Sequence, residues 1–149
     1  MTIEIRLPAD GDDDILSHVA EDVFDYPVDP VLAHEFLQDP RHHLAVAIDN
    51  GVVVGFASAV HYVHPDKPPQ LFINEVAVAP THRQRGLGKA VVRLLLDVGR
   101  AHRCTEAWVL TDRTNTAARA LYVSTGGEEG ADREGPSRTT LGYTFVLET

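Results

Sequence analysis

Apolar and polar residues alternate over residues 2–7, and this period of two predicts an edge strand. Residues 10–24 begin with a run of aspartates that suits a helix N-terminus. They carry Ile15, Val19 and Val23 at helical spacing, so a first helix is expected there. Residues 29–38 predict a short second helix with Pro30 in its first turn. Residues 43–63 read as two strands around Asn50-Gly51, a dipeptide that favours a tight hairpin. Residues 65–70 are loop, and residues 71–79 are apolar enough for a central strand. A helix over residues 86–103 carries Leu87, Val91, Leu94 and Val98 on one stripe. Residues 105–112 form another strand. Residues 115–125 form a helix stopped by Gly126-Gly127. Residues 127–138 are loop with room for a short strand, and residues 139–148 close the chain as a strand.

The order is therefore β-α-α-β-β-β-α-β-α-(β)-β. Three strands run consecutively before the first crossover, which predicts a mixed α/β sheet and not a doubly wound parallel one. Trp108, on the 105–112 strand with Glu106, Leu110 and Asp112 by parity, is expected to pack in the core. Cys104 is expected to pack beside a helix end. No repeat, linker or low-complexity tract interrupts the chain, and 149 residues suggest a single domain over 1–149.

Composition narrows the function classes. One cysteine excludes a disulfide framework and a four-cysteine metal site. No apolar run approaches the ~20 residues of a membrane span, and the first residues lack a basic-then-apolar leader, so a cytoplasmic protein is the expectation. The net charge of −9 argues against a nucleic-acid partner. Its distribution says more. Residues 7–40 hold ten Asp or Glu and no Lys or Arg, whereas residues 83–119 hold eight Lys or Arg and three acids. An anionic ligand near the middle and a cationic one near the N-terminal segment would both be attracted; the acids are otherwise a solvated face. The eight histidines give no sign of a metal site. There is no His-Glu-x-x-His, His42 and His43 are adjacent, and His61 and His64 would face opposite sides of a strand.

The chemistry concentrates at residues 78–90, where a strand turns through Arg83, Arg85, Gly86, Gly88 and Lys89 into a helix. Free N–H groups and the helix dipole at such a corner favour a phosphate. Glycines let it approach the backbone, and the basic side chains add charge-assisted hydrogen bonds. The spacing excludes two common phosphate loops. Ala90 follows Gly88-Lys89 where a P-loop requires Ser or Thr, and Val91 stands where a dinucleotide fingerprint requires Gly or Ala.

Arg83-Gln84-Arg85-Gly86-Leu87-Gly88 resembles the Gln/Arg-x-x-Gly-x-Gly/Ala signature of the GNAT superfamily of N-acetyltransferases. Residues 115–126, with Asn115, Ala118, Leu121, Tyr122 and Gly126, resemble that superfamily's second motif, although Gly127 replaces its usual aromatic. The resemblance implies a GNAT fold: an α/β (α+β) domain whose mostly antiparallel sheet of six to seven strands splays between strands four and five, flanked by about four helices. It implies acetyl-CoA as cosubstrate. Backbone amides from Gln84 to Lys89 would hold its pyrophosphate, together with Arg83, Arg85, Gly86, Leu87 and Gly88. Its pantetheine arm would run beside Val76, Ala77 and Val78, with Asn115 near the arm and Tyr122 as the acid that protonates the departing thiolate. As N-cap of its helix, Asn115 also has a purely structural role open to it. Such enzymes often pair through sheet edges or terminal strands, so a homodimer is one expected assembly.

An attacking amine must lose a proton, and Glu75 is the favoured base, because a carboxylate among the apolar residues of a strand is costly unless used. A rim carboxylate paired with an arginine is the other reading of Glu75, and Asp112 is the second candidate base. Residues 22–127 are similar to the small aminoglycoside 3-N-acetyltransferases of GNAT type, with Glu75 where that family has Asp; the tail departs from that family. This likeness implies 3-N-acetylation of an aminoglycoside, a cationic small-molecule amine. Asp25, Asp29, Glu35 and Asp66 are then candidates for an acidic rim, and His61 and Asp112 for acceptor binding. Acetylation of a polyamine, a peptide N-terminus or another small amine remains open, as does a non-catalytic acetyl-CoA-binding module.

Overall fold

The structure is a computed structural model that describes residues 2–130 and 139–147. Its strands are β1 (Glu4–Arg6), β2 (His42–Asp49), β3 (Val52–Tyr62), β4 (Gln70–Val78), β5 (Glu106–Asp112), β6 (Glu128–Glu129) and β7 (Thr140–Val146). Its helices are α1 (Pro30–Gln38), α2 (Leu87–Ala101) and α3 (Thr116–Ser124), with one 3-10 turn at Pro80–His82. The strands form one sheet in the order β1-β2-β3-β4-β5-β7-β6. Every neighbouring pair is antiparallel except β4–β5, whose parallel pairing needs the crossover that α2 supplies. Asn50 and Gly51 both take positive φ, 51° and 79°, as a two-residue hairpin turn demands. The loop expected over 131–138 lies outside the described residues.

The first expected helix does not form, which leaves three α-helices among the described residues where four were expected. Residues 9–17 make a succession of turns, with Asp12, Ile15 and Ser17 donating to carbonyls three residues back at 2.9–3.0 Å. The Asp12 carboxylate accepts from Arg6 at 2.6 Å and from the Ala9 N–H at 2.7 Å; both hold its pKa below the usual carboxylate range. Beyond it, β3 runs past the end of β4 and leaves an open edge at Val53. His18 and Ala20 take that edge through two 2.9 Å backbone hydrogen bonds, which removes the groups a helix would use. The apolar residues still turn inward: Leu16 and Val23 are buried, and Phe24 stacks on Phe56 at 4.1 Å.

The sheet has two differently covered faces. α2 buries Leu87, Val91, Val92, Leu95, Leu96 and Val98, so its inward stripe is centred on Val92 and Leu95, while Leu94 is half-buried. It packs on the face that carries Leu71 and Val78, since added Cβ atoms at Gly99 and Gly88 would meet those side chains at 3.2 and 3.9 Å. The 10–28 segment covers the opposite face through Phe56. Trp108 lies on that opposite face by register with Phe72 and is half-buried, not core: it contacts the Phe72 ring at 4.4 Å and donates from Nε1 to the Tyr62 hydroxyl at 2.5 Å. Cys104 is fully buried just past α2, as expected.

Gly127, the departure from the usual aromatic, has a packing reason. A Cβ there would lie 2.9 Å from both the Phe145 ring and the Tyr122 carbonyl, so Phe145 already fills the space. Gly127→Ala is expected to destabilise the chain by about 1–3 kcal/mol through overpacking. A urea midpoint equal to that of the parent would show that the Phe145 ring yields freely.

Candidate active site

β4 and β5 pair only from Gln70–Glu106 to Ile73–Val109, although β4 continues to Val78 and β5 to Asp112. The strands therefore part beyond Ile73. A β-bulge coincides with the parting: Ala59 pairs with Ile73 but Ser58 pairs with Glu75, leaving Asn74 as the extra residue. A bulge bends its strand locally, which carries the second half of β4 away from β5.

A groove of about 790 Å³ opens beside this gap. Its walls include Val76, Ala77 and Val78 from β4, Arg83, Gln84, Gly86, Leu87, Gly88 and Lys89 from the corner, and Asn115 and Tyr122 of α3 and its cap. Gln84 and Gly86 both have positive φ, 63° and 76°, and Gly86 caps α2 without a side-chain hydrogen bond. The first backbone acceptor inside α2 is the Gly86 carbonyl, which receives the Ala90 N–H at 3.1 Å. The N–H groups of residues 87–89 thus precede the intrahelical ladder, as at any helix start, and leave donors for an anion. α2 meets α3 beside Gly88, where an added Cβ would touch the Leu121 side chain at 3.4 Å. These residues suit a diphosphate with an extended arm running along β4.

The structure separates the sequence candidates. Arg85 is exposed and does not line the groove, because its side chain leaves the corner between the two positive-φ residues. Asn115 caps α3 by accepting from Ala118 N–H at 3.0 Å while also lining the groove, so its two roles coexist. Tyr122 is buried against Tyr143 and Phe145, and burial, followed by the neighbouring Tyr143, pushes its hydroxyl up to about 12. Glu75 is exposed, so the burial expected from its apolar neighbours is absent; the bulge turns it to the face of Ser58 and Phe56.

Of the acceptor candidates, Asp25 lines a second cavity. That cavity, of about 840 Å³, lies in the turns of the N-terminal segment and is walled by Asp13, Asp14, Glu21, Asp22 and Asp25 together with Phe24, Tyr26 and Val28. Asp29 instead caps α1, accepting from the Val31 and Leu32 N–H groups at 2.8 and 3.3 Å. Glu35 is exposed on α1 outside the cavity wall, and Asp66 is exposed beside Lys67 at 3.6 Å. Asp112 holds the turn after β5 by accepting from Thr114 N–H at 2.9 Å. His61 sits with His43 and His102 on the α2 face, where burial, then His102 and Arg41, hold its pKa below the ordinary imidazole range.

Asp22 and His82 are among the lining residues that escaped the sequence reading. Asp22 lines both cavities. Its φ of 63° is a conformation that Asp tolerates better than most residues. His82 lines the groove and donates from Nε2 to Asp49 at 2.7 Å, tying the glycine corner to the β2–β3 hairpin. Only the Asn50-Gly51 turn signal hinted that this hairpin end comes so close.

The splayed sheet with a glycine corner is an acetyltransferase architecture, and comparison with known proteins agrees. A profile described as the Acetyltransferase (GNAT) family matches residues 13–126. The chain belongs to that family. It is 35% identical over 86 residues to an L-2,4-diaminobutyric acid acetyltransferase of Nocardia farcinica, a match covering 58% of this chain and 44% of that one. The matched stretch thus spans less than half of that relative. It is 34% identical over 112 residues to an aminoglycoside N(6')-acetyltransferase type 1 of Salmonella typhimurium, covering 70% and 76%. The structure of a putative acetyltransferase from Salmonella typhimurium with its cofactor acetyl-CoA superposes with a TM-score of 0.70 at 22% identity, over 98% of this chain and 94% of that one.

Proposed function

We propose that this protein transfers the acetyl group of acetyl-CoA to an amine of a small polycationic acceptor, an aminoglycoside acetylated at its 3-amino group. The observation that carries the reading is a pair of unlike cavities that share Asp22 in their walls, one suited to an anion and one acidic. Acetyl-CoA fits the first: its diphosphate against residues 84–89 with Arg83 and Lys89, its arm along Val76–Val78, its thioester toward the gap.

Register puts the two reactive side chains on opposite faces. Glu75 shares the face of Phe56, which the acidic cavity segment covers. Tyr122 packs on Tyr143, which pairs with Val109 on the α2 face. Glu75, directly or through water, takes the proton that the amine gives up as its nitrogen bonds to the acetyl carbonyl carbon. As the carbon–sulfur bond breaks, the Tyr122 hydroxyl supplies a proton to the sulfur. Base and acid thus serve the two ends of one transfer across the gap.

Charge discriminates between acceptors. Among the described residues, five carboxylates and no Lys or Arg line the acidic cavity. An amino-acid acceptor such as L-2,4-diaminobutyrate brings its own carboxylate, which has no cationic partner there, whereas an aminoglycoside brings only cations. The cavity is also within the size range of small-molecule sites, about 300–1,000 Å³.

The test is thiol release from acetyl-CoA with gentamicin, kanamycin, apramycin, spermidine, L-2,4-diaminobutyrate and a short peptide. Release with at least one aminoglycoside, with the product heavier by one acetyl, is expected. Its rate at low acceptor should fall as salt rises from about 50 to 300 mM, because screening weakens the cavity's attraction. Release with the diamino acid or peptide alone would overturn the acceptor reading, and no release with any acceptor would overturn turnover itself.

A further inference from the structure

At the end of α2 opposite the glycine corner, three imidazoles converge. His43 comes from β2, His61 from β3, and His102 from the C-terminal cap of α2. One nitrogen from each lies within 4.8 Å of the others. His43 Nε2 and His61 Nδ1 share a proton at 2.7 Å, and the His102 ring lies 4.8 and 4.5 Å from those of His43 and His61. His43 and His61 are half-buried and His102 is exposed.

From this cluster we propose a binding site for one divalent transition-metal ion of the zinc class, with His43, His61 and His102 as its three protein ligands and water completing a four-coordinate shell. Imidazole nitrogens bind zinc at about 2.0–2.1 Å, which in a tetrahedral shell sets ligand nitrogens about 3.3 Å apart. The His43–His61 pair must open by about half an ångström, and His102 must turn inward. Exposure leaves the His102 ring free to make that turn. Proton balance is simple. The shared proton passes to the far nitrogen of its own ring, so both facing nitrogens present lone pairs and no proton need leave the protein.

Softness and charge favour this class of ion. Three neutral nitrogens suit zinc, nickel or copper, whereas calcium and magnesium require oxygens. The titratable and charged groups around the cluster are His42, Asp39 and Arg41; Asp39 is engaged by the Arg41 N–H at 2.9 Å and by His42 at 3.3 Å. The site joins the end of α2 to two strands, about 20 Å along the helix from the glycine corner. Its role is to clasp the fold, not to act on the substrate. The spacing of histidines along the sequence argued against a metal because it compared only chain neighbours; these three come from three elements.

The experiment uses the full chain without an affinity tag, stripped with chelator, and titrated with zinc against a chromophoric chelator. One equivalent should bind, raise the melting temperature, and be replaceable by cobalt with a tetrahedral visible absorption. His102→Ala removes an exposed ring, and His61→Ala tests a second ligand. Each should weaken binding by at least about tenfold, and His64→Ala should leave it unchanged. No uptake at about 100 µM zinc, or a loss below tenfold in His102→Ala with its circular dichroism intact, overturns the site. None of these readouts depends on acetyl transfer, so they stand or fall apart from the proposed activity.

Discussion

Replacing Tyr122 with phenylalanine is expected to lower kcat by about 10²–10⁴-fold, the range that loss of a general acid commands. Binding of acetyl-CoA should persist, because the ring keeps its contacts with Tyr143 and Phe145 and only the hydroxyl is removed. Calorimetric affinity for acetyl-CoA within a few-fold of the parent, beside collapsed turnover, is the expected pair of results. Near-normal turnover would remove Tyr122 from the chemistry.

Burial adds a pH signature. Because the folded-state pKa of Tyr122 is pushed up to about 12, its proton stays in place throughout the neutral and mildly alkaline range. The unfolded chain ionises this tyrosine near 10, so the folded state holds the proton more tightly between about 10 and 12. The resulting contribution to stability is present below about 10 and is lost as pH rises toward 12. The kcat profile should accordingly show no Tyr122 ionisation below about pH 10. An alkaline fall near pH 9 that vanishes in Tyr122→Phe would contradict this.

Glu75→Gln carries the second large effect, a fall in kcat of about 10²–10³-fold with acetyl-CoA binding unchanged. Glutamine keeps the size of the side chain and cannot take a proton. The remaining rate should climb with pH as more of the amine becomes deprotonated, and it should climb more steeply than that of the parent. Because Glu75 is exposed on a bent strand, the substitution leaves the core intact. Turnover within threefold of the parent would falsify the assignment. Asp112 would not then inherit the role unaided, since its carboxylate is held by Thr114, which lowers its pKa.

Much of the site was legible because it is local. The glycine corner lies within one strand–turn–helix unit, and Asn115 and Tyr122 belong to α3 and its cap, so spacing along the chain carried most of the groove's geometry. The α2 helix and the β2–β3 hairpin were legible for the same reason. What escaped depended on contacts between distant segments. The apolar period of Ile15, Val19 and Val23 was real, but it marks residues that turn inward from a chain of turns. Its helical reading failed because the open edge of β3 at Val53 competes for the same backbone groups. The acidic run suggests a place for cations, yet Asp29 is spent on a helix cap, and Asp22, which no motif marks, lines both cavities. Glu75 was assigned a buried setting from its neighbours in sequence, and one bulge at Asn74 exposed it.

Among the described residues, the parting of β4 from β5 leaves alternate amides between residues 74 and 78 without a strand partner on that side. In the free chain, deuterium should replace those protons quickly, amid slow neighbours still laddered to β3. A bound pantetheine arm, which offers amide groups of its own, would slow them selectively. The gap therefore carries its own gauge: the exchange rates of a few backbone positions in the middle of a sheet register occupancy of the site before any acceptor is known.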